Sequence, residues 1–285
     1  MAEIVLTTLK VSVVGLIFAI GMASKPSDVT YLLQRPGLFF RSMLAMYVLV
    51  PLAALAIVLL LPMTPGTKAA LLLLAASAGA PLLPKKLGKI GHESYVLSLV
   101  VLSSLLAIVV VPAWIAAYGQ IFRVELELTF GQVAGILGKG FLLPVAAGMA
   151  LRLLIPRYGD GISQWLLLAS GIGLAVAALI LVVSQLHLLK EVSLASFAAL
   201  VFFLVVALAI GHILGGPDAK DRSALAVVCS TRHLGIVILV AASLPGARMA
   251  VLVVAYILAS LLVTIPYMQW RQKVIGAAGG GGKGA

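Results

Sequence analysis

Long apolar runs separated by short polar connections make up most of this sequence. A helix needs about 20 apolar residues to cross a bilayer, so the pattern predicts nine transmembrane helices that are apolar around their whole circumference. Their predicted ranges are 4–23, 38–62, 68–91, 94–117, 130–152, 162–186, 194–215, 221–244 and 248–270. The pattern therefore predicts an all-α polytopic membrane protein.

The composition indicates the same class. Hydrophobic residues make up 62% of the 285 residues and charged residues only 10%, which is typical of membrane-spanning proteins rather than soluble domains. The formal net charge of +11 does not indicate a nucleic-acid partner, because the basic residues are scattered through the connections between helices. Cys229 is the single cysteine, so an internal disulfide is excluded.

The basic residues are distributed unevenly between the two predicted sides of the membrane. By the positive-inside rule, the richer side is cytoplasmic, which predicts an external N-terminus and a cytoplasmic C-terminus in a bacterial inner membrane. The richer side carries Lys25, Arg35, Arg41, Lys89, Arg152, Arg157, Lys220, Arg222, Arg271 and Lys273, and the poorer side carries Lys68, Arg123, Lys190 and Arg248.

Two stretches lie outside the predicted spans. Pro26 and Asp28 resemble a helix cap before residues 29–34, which are expected to form a short amphipathic helix or a tight turn at the membrane surface. Residues 276–285 are rich in glycine and predict a disordered tail. The remainder, 1–275, is expected to form one transmembrane unit with halves of about 1–120 and 121–275.

Two of the predicted helices contain residues that interrupt a helix. The third contains Gly79, Pro81 and Pro84, and each proline removes a backbone donor, so a break or kink is expected near residues 77–84. The eighth contains the run C-S-T-R-H-L-G at 229–235, which is too polar to face lipid. The two stretches are about 150 residues apart, and paired broken helices indicate a binding site near the bilayer midplane.

The local alternative is that Gly79 and Pro81 kink a packed helix and that Ser230 and Thr231 bond only to their own backbone. Arg232 makes this alternative less attractive for the eighth helix, because a charge at bilayer depth is costly and indicates a functional site.

The acidic residues are confined to the ends of the predicted helices. All nine fall at or near predicted helix ends: Glu3, Asp28, Glu93, Glu125, Glu127, Asp160, Glu191, Asp218 and Asp221. An interior without carboxylates lacks strong ligands for Na⁺ or Ca²⁺. Arg232 has no acidic partner at its depth, and Lys85 and Lys86 lie shortly after the first break. The centre is therefore predicted to be positively charged and to bind an organic anion.

The candidate substrate-binding residues follow from the two breaks and their charge: Arg232, His233, Thr231, Ser230, Ser77, Gly79, Pro81, Lys85 and Lys86. Lys85 and Lys86 have the alternative of reaching the cytoplasmic headgroups, and His233 is either a proton switch or a structural hydrogen-bonding group. No catalytic or metal-binding residue is predicted, because the sequence contains no H-E-x-x-H or G-x-S-x-G motif.

Four segments together resemble the bile acid:sodium symporter family. They are F-A-I-G-M-A-S-K-P-S-D-V with L-L-Q-R-P-G, then L-L-L-L-A-A-S-A-G-A-P, then S-S-L-L-A-I-V-V-V-P-A, and R-H-L-G where the family has Q-N-S-G. The resemblance implies two inverted repeats, a panel domain, a core domain with two crossed broken helices, and transport by alternating access. Compared with the family's ten-helix form, this chain is expected to begin at the second helix.

The departures from the family pattern affect its sodium sites. The family's sodium ligands include a Glu in E-x-G-x-Q-N and an Asn in T-A-S-N, and the corresponding positions here are Val228, Arg232 and His233, and approximately Lys85. The chain contains no asparagine at all. The resemblance thus implies that fixed side-chain charges stand where sodium ions would bind, and no cofactor is expected.

The sequence therefore predicts a secondary transporter of a small organic anion, such as a carboxylate, a sulfonate or a bile-acid-like molecule, that does not use the family's sodium sites. Its mode is left open between a uniporter, an exchanger and a proton-coupled carrier. The first alternative is a sodium-coupled symporter whose ligands are carbonyls and hydroxyls, including Ser77, Ser103, Ser104, Ser230 and Thr231. An alternative of another class is a non-transporting membrane sensor. The expected partners are the substrate and the lipid bilayer, with a monomer or homodimer and no nucleic acid.

Overall fold

The computed structural model describes residues 2–77, 91–123, 130–185, 192–232 and 249–280, and these residues are almost entirely helical. The helices are α1 Ala2–Ala23, α2 Pro26–Leu33, α3 Pro36–Leu44, α4 Val50–Leu60, α5 Pro65–Ala76, α6 Glu93–Phe122, α7 Phe130–Leu137, α8 Leu143–Leu154, α9 Pro156–Gln185, α10 Leu194–Leu214, α11 Ala219–Ser230 and α12 Met249–Gly280. Single π-helical turns, Ala45–Leu49 and Gly138–Leu142, join α3 to α4 and α7 to α8.

Local sequence explains where several helices begin. The first helical position of α2, α3, α5 and α9 is a proline, which is suited to that position because its missing N–H has no partner in a first turn anyway. The side chains of Thr64, Ser193 and Asp218 accept hydrogen bonds from backbone N–H groups at the starts of α5, α10 and α11. These caps satisfy donors that a helix cannot pair internally.

The two π-helical turns have a common cause. Each directly precedes a helix with proline at its second position, Pro51 in α4 and Pro144 in α8. A proline cannot donate to the carbonyl four residues earlier, and a widened turn accommodates the interrupted ladder. For Pro51 that carbonyl belongs to Tyr47, which instead accepts a 2.7 Å hydrogen bond from the Trp114 indole. The Trp114 hydrogen bond thus replaces the missing backbone bond and holds Tyr47 in the interior.

The described helices form two packing groups. In the first, α1 lies along α8 and α9. Gly21 of α1 and Gly148 of α8 each face the backbone of the other helix so closely that a Cβ atom would collide with it. Glycine is therefore required at both positions.

The second group consists of α2 to α6 and α10 to α12 and contains the largest buried apolar cluster. Within it, α10 packs closely on α11, where Gly211 meets the backbone of Leu225 and Ala226. Two smaller clusters connect the groups through α1, α6 and the α7–α8 region. The site described below belongs to the second group.

Side-chain contacts bring several predicted basic connections together in two separate sets. Arg152 at the end of α8 contacts the end of α1 and the start of α9, and Arg271 near the end of α12 contacts the start of α11. His92 at the start of α6 contacts Asp221 at the start of α11. The charge pattern had predicted these segments to share a side.

Among the described residues, four helical segments are long and apolar enough to cross a membrane: Pro36–Leu60, Leu105–Phe122, Pro156–Ala177 and Leu194–Leu214. The shorter apolar helices are Lys10–Ala23, Pro65–Ala76 and Glu93–Ser103. The protein is therefore an all-α integral membrane protein, and the count of nine spans stays a prediction.

Two sequence predictions can be compared with helix bounds. Residues 29–34 were expected to form a short surface helix or turn, and α2 is a short helix that begins slightly earlier, at Pro26. The glycine-rich tail was expected to begin at residue 276, whereas α12 extends to Gly280. Residues 281–285 lie outside the described part of the chain.

Candidate binding site at two helix ends

Two helices end inside the second packing group. α5 ends at Ala76, and Ser77 has an extended backbone conformation. α11 ends at Ser230, and Thr231 is also extended. Both ends fall in the stretches where the sequence predicts breaks. The residues that follow, 78–90 and 233–248, lie outside the described residues.

Arg232 joins these two helix ends. Its Nη1 donates a 2.8 Å hydrogen bond to the carbonyl oxygen of Ser77, the C-cap residue of α5. Its backbone N–H donates to the Tyr256 hydroxyl at 2.6 Å, and that hydroxyl donates to the carbonyl of Ser230 at 3.1 Å. Arg232 is 0% exposed. One residue therefore connects the ends of α5 and α11 with the side of α12.

The remaining edge of the guanidinium is free of protein partners among the described residues. Both Nε and Nη2 of Arg232 are buried without a hydrogen-bond partner there. These two nitrogens form the side-on face of the guanidinium, whose parallel N–H groups match the two oxygens of a carboxylate or phosphate. Arg232 thus has one edge that holds the protein together and one edge suited to an oxyanion.

The charge of Arg232 is compensated only in part by its surroundings. The C-terminal ends of α5 and α11 carry partial negative charge from unpaired carbonyls, and both lie at this residue. Among the described residues, the ion pairs are elsewhere, between His92 and the Asp218–Asp221 pair and between Arg152 and Asp160. Helix ends supply partial charges, so a full negative charge from a ligand is still favourable at this position.

Three tyrosines lie near the guanidinium of Arg232. Tyr47, Tyr118 and Tyr256 are close enough to Arg232 to interact with it electrostatically, as is the thiol of Cys229. All four side chains are buried. The Tyr47 hydroxyl donates to the carbonyl of Ser103 and thereby ties this region to α6. The described side chains near Arg232 are therefore mainly buried aromatic residues.

The hydroxyl groups of the predicted serine and threonine residues bond within their own helices, whereas the backbone carbonyls of Ser77 and Ser230 contact other parts of the structure. The Ser77 hydroxyl donates to the carbonyl of Leu74, and those of Ser230 and Thr231 both donate to the carbonyl of Val227. This is the local bonding that the alternative interpretation of the sequence described. The carbonyls of Ser77 and Ser230 instead make the contacts between helices.

The other predicted site residues cannot be placed. Gly79, Pro81, Lys85, Lys86 and His233 lie outside the described residues, and their role stays a prediction. The structure brings Arg232 together with Ser77, Ser230 and Thr231.

Sequence reasoning missed the three tyrosines and Trp114. A tyrosine in an apolar helix is usually read as part of the membrane-interface belt, where its polar end reaches water. A signal was nevertheless present for Tyr47, because it lies four residues before Pro51 and its carbonyl must find another donor. For Tyr256, the sequence contained no comparable signal.

A second polar cluster lies where α11 begins. The Asp218 carboxylate accepts hydrogen bonds from the N–H groups of Lys220 and Asp221, at 2.7 and 3.1 Å. Partial burial tends to raise the pKa of Asp218, but these hydrogen bonds together with nearby His92 and Lys220 hold that pKa below its ordinary value. His92, Asp218 and Asp221 are the described group that could hold a metal ion by proximity, and their contacts are those of a capped and ion-paired helix start.

Comparison with known families identifies the chain. Residues 11–215 match the model of the sodium bile acid symporter family. The protein belongs to this family. The match includes Tyr47, Ser77 and Tyr118 and ends before Arg232. Members of the family are transporters and not enzymes, which confirms the predicted class. No curated protein matches the chain significantly.

Proposed function

We propose that this member of the family is a secondary transporter of a small organic anion, and that the anion binds to the free edge of Arg232 at the ends of α5 and α11. The observation that carries this proposal is the pair of buried donors, Nε and Nη2, without a partner among the described residues. Burying such donors without an acceptor costs about 1–3 kcal/mol each. A carboxylate or sulfonate would satisfy both at once.

The transport mechanism proposed is alternating access in a nine-helix, inverted-repeat unit formed by residues 1–275. The two packing groups support this mechanism, because one group would correspond to the panel domain and the other to the core domain with the two broken helices. The protein would act as a monomer or homodimer in a bacterial inner membrane. The basic side would be cytoplasmic, with the N-terminus outside.

We further propose that no sodium ion binds next to Arg232 during transport. A sodium ion next to Ser77 and Ser230 would meet the positive charge of Arg232, and like charges repel strongly where water is excluded. The Ser77 carbonyl, a suitable oxygen ligand for a cation, already accepts from the guanidinium. The residues at this position therefore accommodate the guanidinium of Arg232 better than a bound sodium ion.

The second candidate is a sodium-coupled symporter that uses carbonyls and hydroxyls. The extended backbone of Ser77 and Thr231 favours it in one respect, because helix ends expose carbonyl groups. A sensor that binds the anion without transporting it is the candidate of another class. Uptake of anion into sealed vesicles distinguishes a transporter from such a sensor.

Thermal unfolding of the purified protein tests the proposal. We expect pyruvate, methanesulfonate or taurocholate to raise the Tm, with the same concentration dependence in sodium and choline buffers, because a ligand that binds only the folded state stabilises it. Arg232→Gln should abolish this shift in Tm. Arg152→Gln is the matched control, since Arg152 also donates to carbonyls at a helix end, and it should retain the shift.

Two results would contradict the proposal. If none of the three anions stabilises the wild-type protein, the anion-transporter function as stated is wrong. If stabilisation requires sodium and rises steeply with its concentration, the sodium-coupled alternative is correct.

A further inference from the structure

We infer that the protein is an obligate anion exchanger, in which the site crosses the membrane only while an anion is bound to Arg232. This inference rests on the proposed function and specifies its transport mode. It follows from three properties of Arg232: its complete burial, its fixed position and its missing carboxylate.

The burial of Arg232 defines the barrier to be crossed. The conformation described here encloses the guanidinium completely, so water does not reach Nε and Nη2. A carrier that changes sides must pass through such a closed conformation, because a site open to both sides would be a channel. Without an anion, the free edge must then be withdrawn from water with no acceptor, which is strongly unfavourable for a charged group.

The fixed position of Arg232 prevents the side chain from avoiding this cost. Nη1 is held by the Ser77 carbonyl and the backbone N–H by the Tyr256 hydroxyl. The guanidinium therefore cannot swing toward either surface without losing these contacts. Because of these hydrogen bonds, the ends of α5 and α11 move together with the Arg232 guanidinium.

No carboxylate among the described residues pairs with Arg232, so none of them replaces the anion there. The segments adjoining the site, 78–90 and 233–248, contain no Asp or Glu, and the nine acidic residues lie elsewhere in the sequence. Among the described acids, Asp160, Asp218 and Asp221 already pair with Arg152 or His92. An external anion is thus the natural counter-ion for Arg232 in the closed conformation.

The charge balance gives a second expectation. A monoanion on Arg232 makes the pair neutral, so the loaded site moves no net charge across the membrane. Exchange of one monoanion for another should then be insensitive to membrane potential. A uniporter whose empty site returns with Arg232 charged would respond to the potential.

The experiment measures uptake of radiolabelled pyruvate, methanesulfonate or taurocholate into proteoliposomes that contain either the same unlabelled anion or none. We expect at least about tenfold faster uptake into the preloaded vesicles, which corresponds to about 1.4 kcal/mol in the barrier. A potassium diffusion potential set with valinomycin should leave the exchange rate unchanged.

Variants connect this behaviour to Arg232. In Arg152→Gln the ratio of preloaded to empty uptake should stay at the wild-type value. In Arg232→Gln any residual uptake should show a ratio near one, because the empty site no longer carries a buried charge. If Arg232→Gln has no uptake at all, the wild-type ratio decides.

The outcomes separate the inference from the proposed function. Equal wild-type uptake into preloaded and empty vesicles, or uptake driven by the potential, would overturn the exchange mode and leave the anion-transporter function standing. An absence of both binding and uptake for all three anions would overturn both. A wild-type ratio of ten or more with no effect of the potential supports the exchanger.

Discussion

Arg152 and Arg232 make similar contacts but have different counter-charges. Each donates through Nη1 to carbonyl oxygens at the end of another helix, Arg152 to Met22 and Ala23 of α1 and Arg232 to Ser77 after α5. Both arginines therefore compensate the negative end of a helix. Arg152 also binds the Asp160 carboxylate at 2.9 Å, whereas no carboxylate is paired with Arg232 among the described residues.

We propose that this difference separates a structural arginine, Arg152, from a substrate-binding one, Arg232. Arg152 has a carboxylate partner whose own side chain is largely exposed, so water can reach the acidic side of this pair. Arg232 is fully buried and lies near Tyr47, Tyr118 and Tyr256, where an unpaired charge is expensive. Under the proposed function, the substrate supplies the carboxylate that Arg232 lacks among the described residues.

The largest effect on anion binding is expected when a carboxylate is placed next to Arg232. Cys229 is fully buried and lies near the guanidinium, so Cys229→Asp should form an internal ion pair that resembles Arg152 with Asp160. We expect the affinity for the anion to fall at least about 30-fold, because the substrate must displace this acid. Isothermal titration calorimetry measures the loss.

Cys229→Asn is the control for this substitution, because it has nearly the same shape without the charge. It should bind the anion at least tenfold more tightly than Cys229→Asp. Equal losses in both variants would mean that packing at Cys229, and not competition for Arg232, controls binding.

A smaller effect is expected when the support of Arg232 is weakened. Tyr256→Phe removes the acceptor for the Arg232 backbone N–H and the donor to Ser230. The free energy of unfolding should fall by about 1–3 kcal/mol, since both groups are buried. Anion affinity should fall with it as Arg232 becomes less well held. Chemical denaturation and calorimetry provide the two measurements.

Tyr118→Phe is the matched variant for this comparison. The Tyr118 hydroxyl makes only a long contact, 3.5 Å, with the Pro51 carbonyl, so its removal should cost less stability than Tyr256→Phe. If the two variants lose the same stability, the Tyr256 contacts do not specifically support the site.

The smallest effect is expected at the pair of Arg152 with Asp160. Asp160→Asn removes the carboxylate that pairs with Arg152, but the Asp160 side of this pair is solvent-exposed and therefore screened. The Tm should fall by about 2 °C or less, and anion affinity should not change, because Arg152 keeps its carbonyl contacts. An altered affinity would show that the α1–α8–α9 group communicates with the site more directly than its contacts indicate.

Much of the fold class was predictable because bilayer crossing imposes simple rules. Apolar runs of spanning length and the scarcity of charge predicted an all-α membrane protein, and Gly79, Pro81 and the polar run around Arg232 predicted where two helices end. Local chemistry was sufficient for these predictions. A proline removes a backbone donor and interrupts a helix, and a charged side chain is unfavourable in lipid, so few structures are compatible with either. The helix bounds of α6, α9 and α12 were less predictable, because helices extend beyond the apolar core into the interface.

The site was predictable in its sign but not in its detail. The sequence alone determined that acids are missing near Arg232, and hence that an anion is the expected ligand. It did not reveal that Ser77 and Ser230 act through their carbonyls, or that Tyr47, Tyr118 and Tyr256 enclose the charge. These contacts join residues that are far apart in the chain, and apolar helices carry too little periodic pattern to indicate which faces meet.

The sequence by itself determined that Arg232 lies in an apolar run with no acidic residue near it in the chain. The tertiary structure alone decided how that charge is used: one edge of the guanidinium is tied to the end of α5, and the other has no partner among the described residues. The physical reason is that the cost of burying a charge depends on composition, whereas the direction of its hydrogen bonds depends on which helix ends the fold brings together.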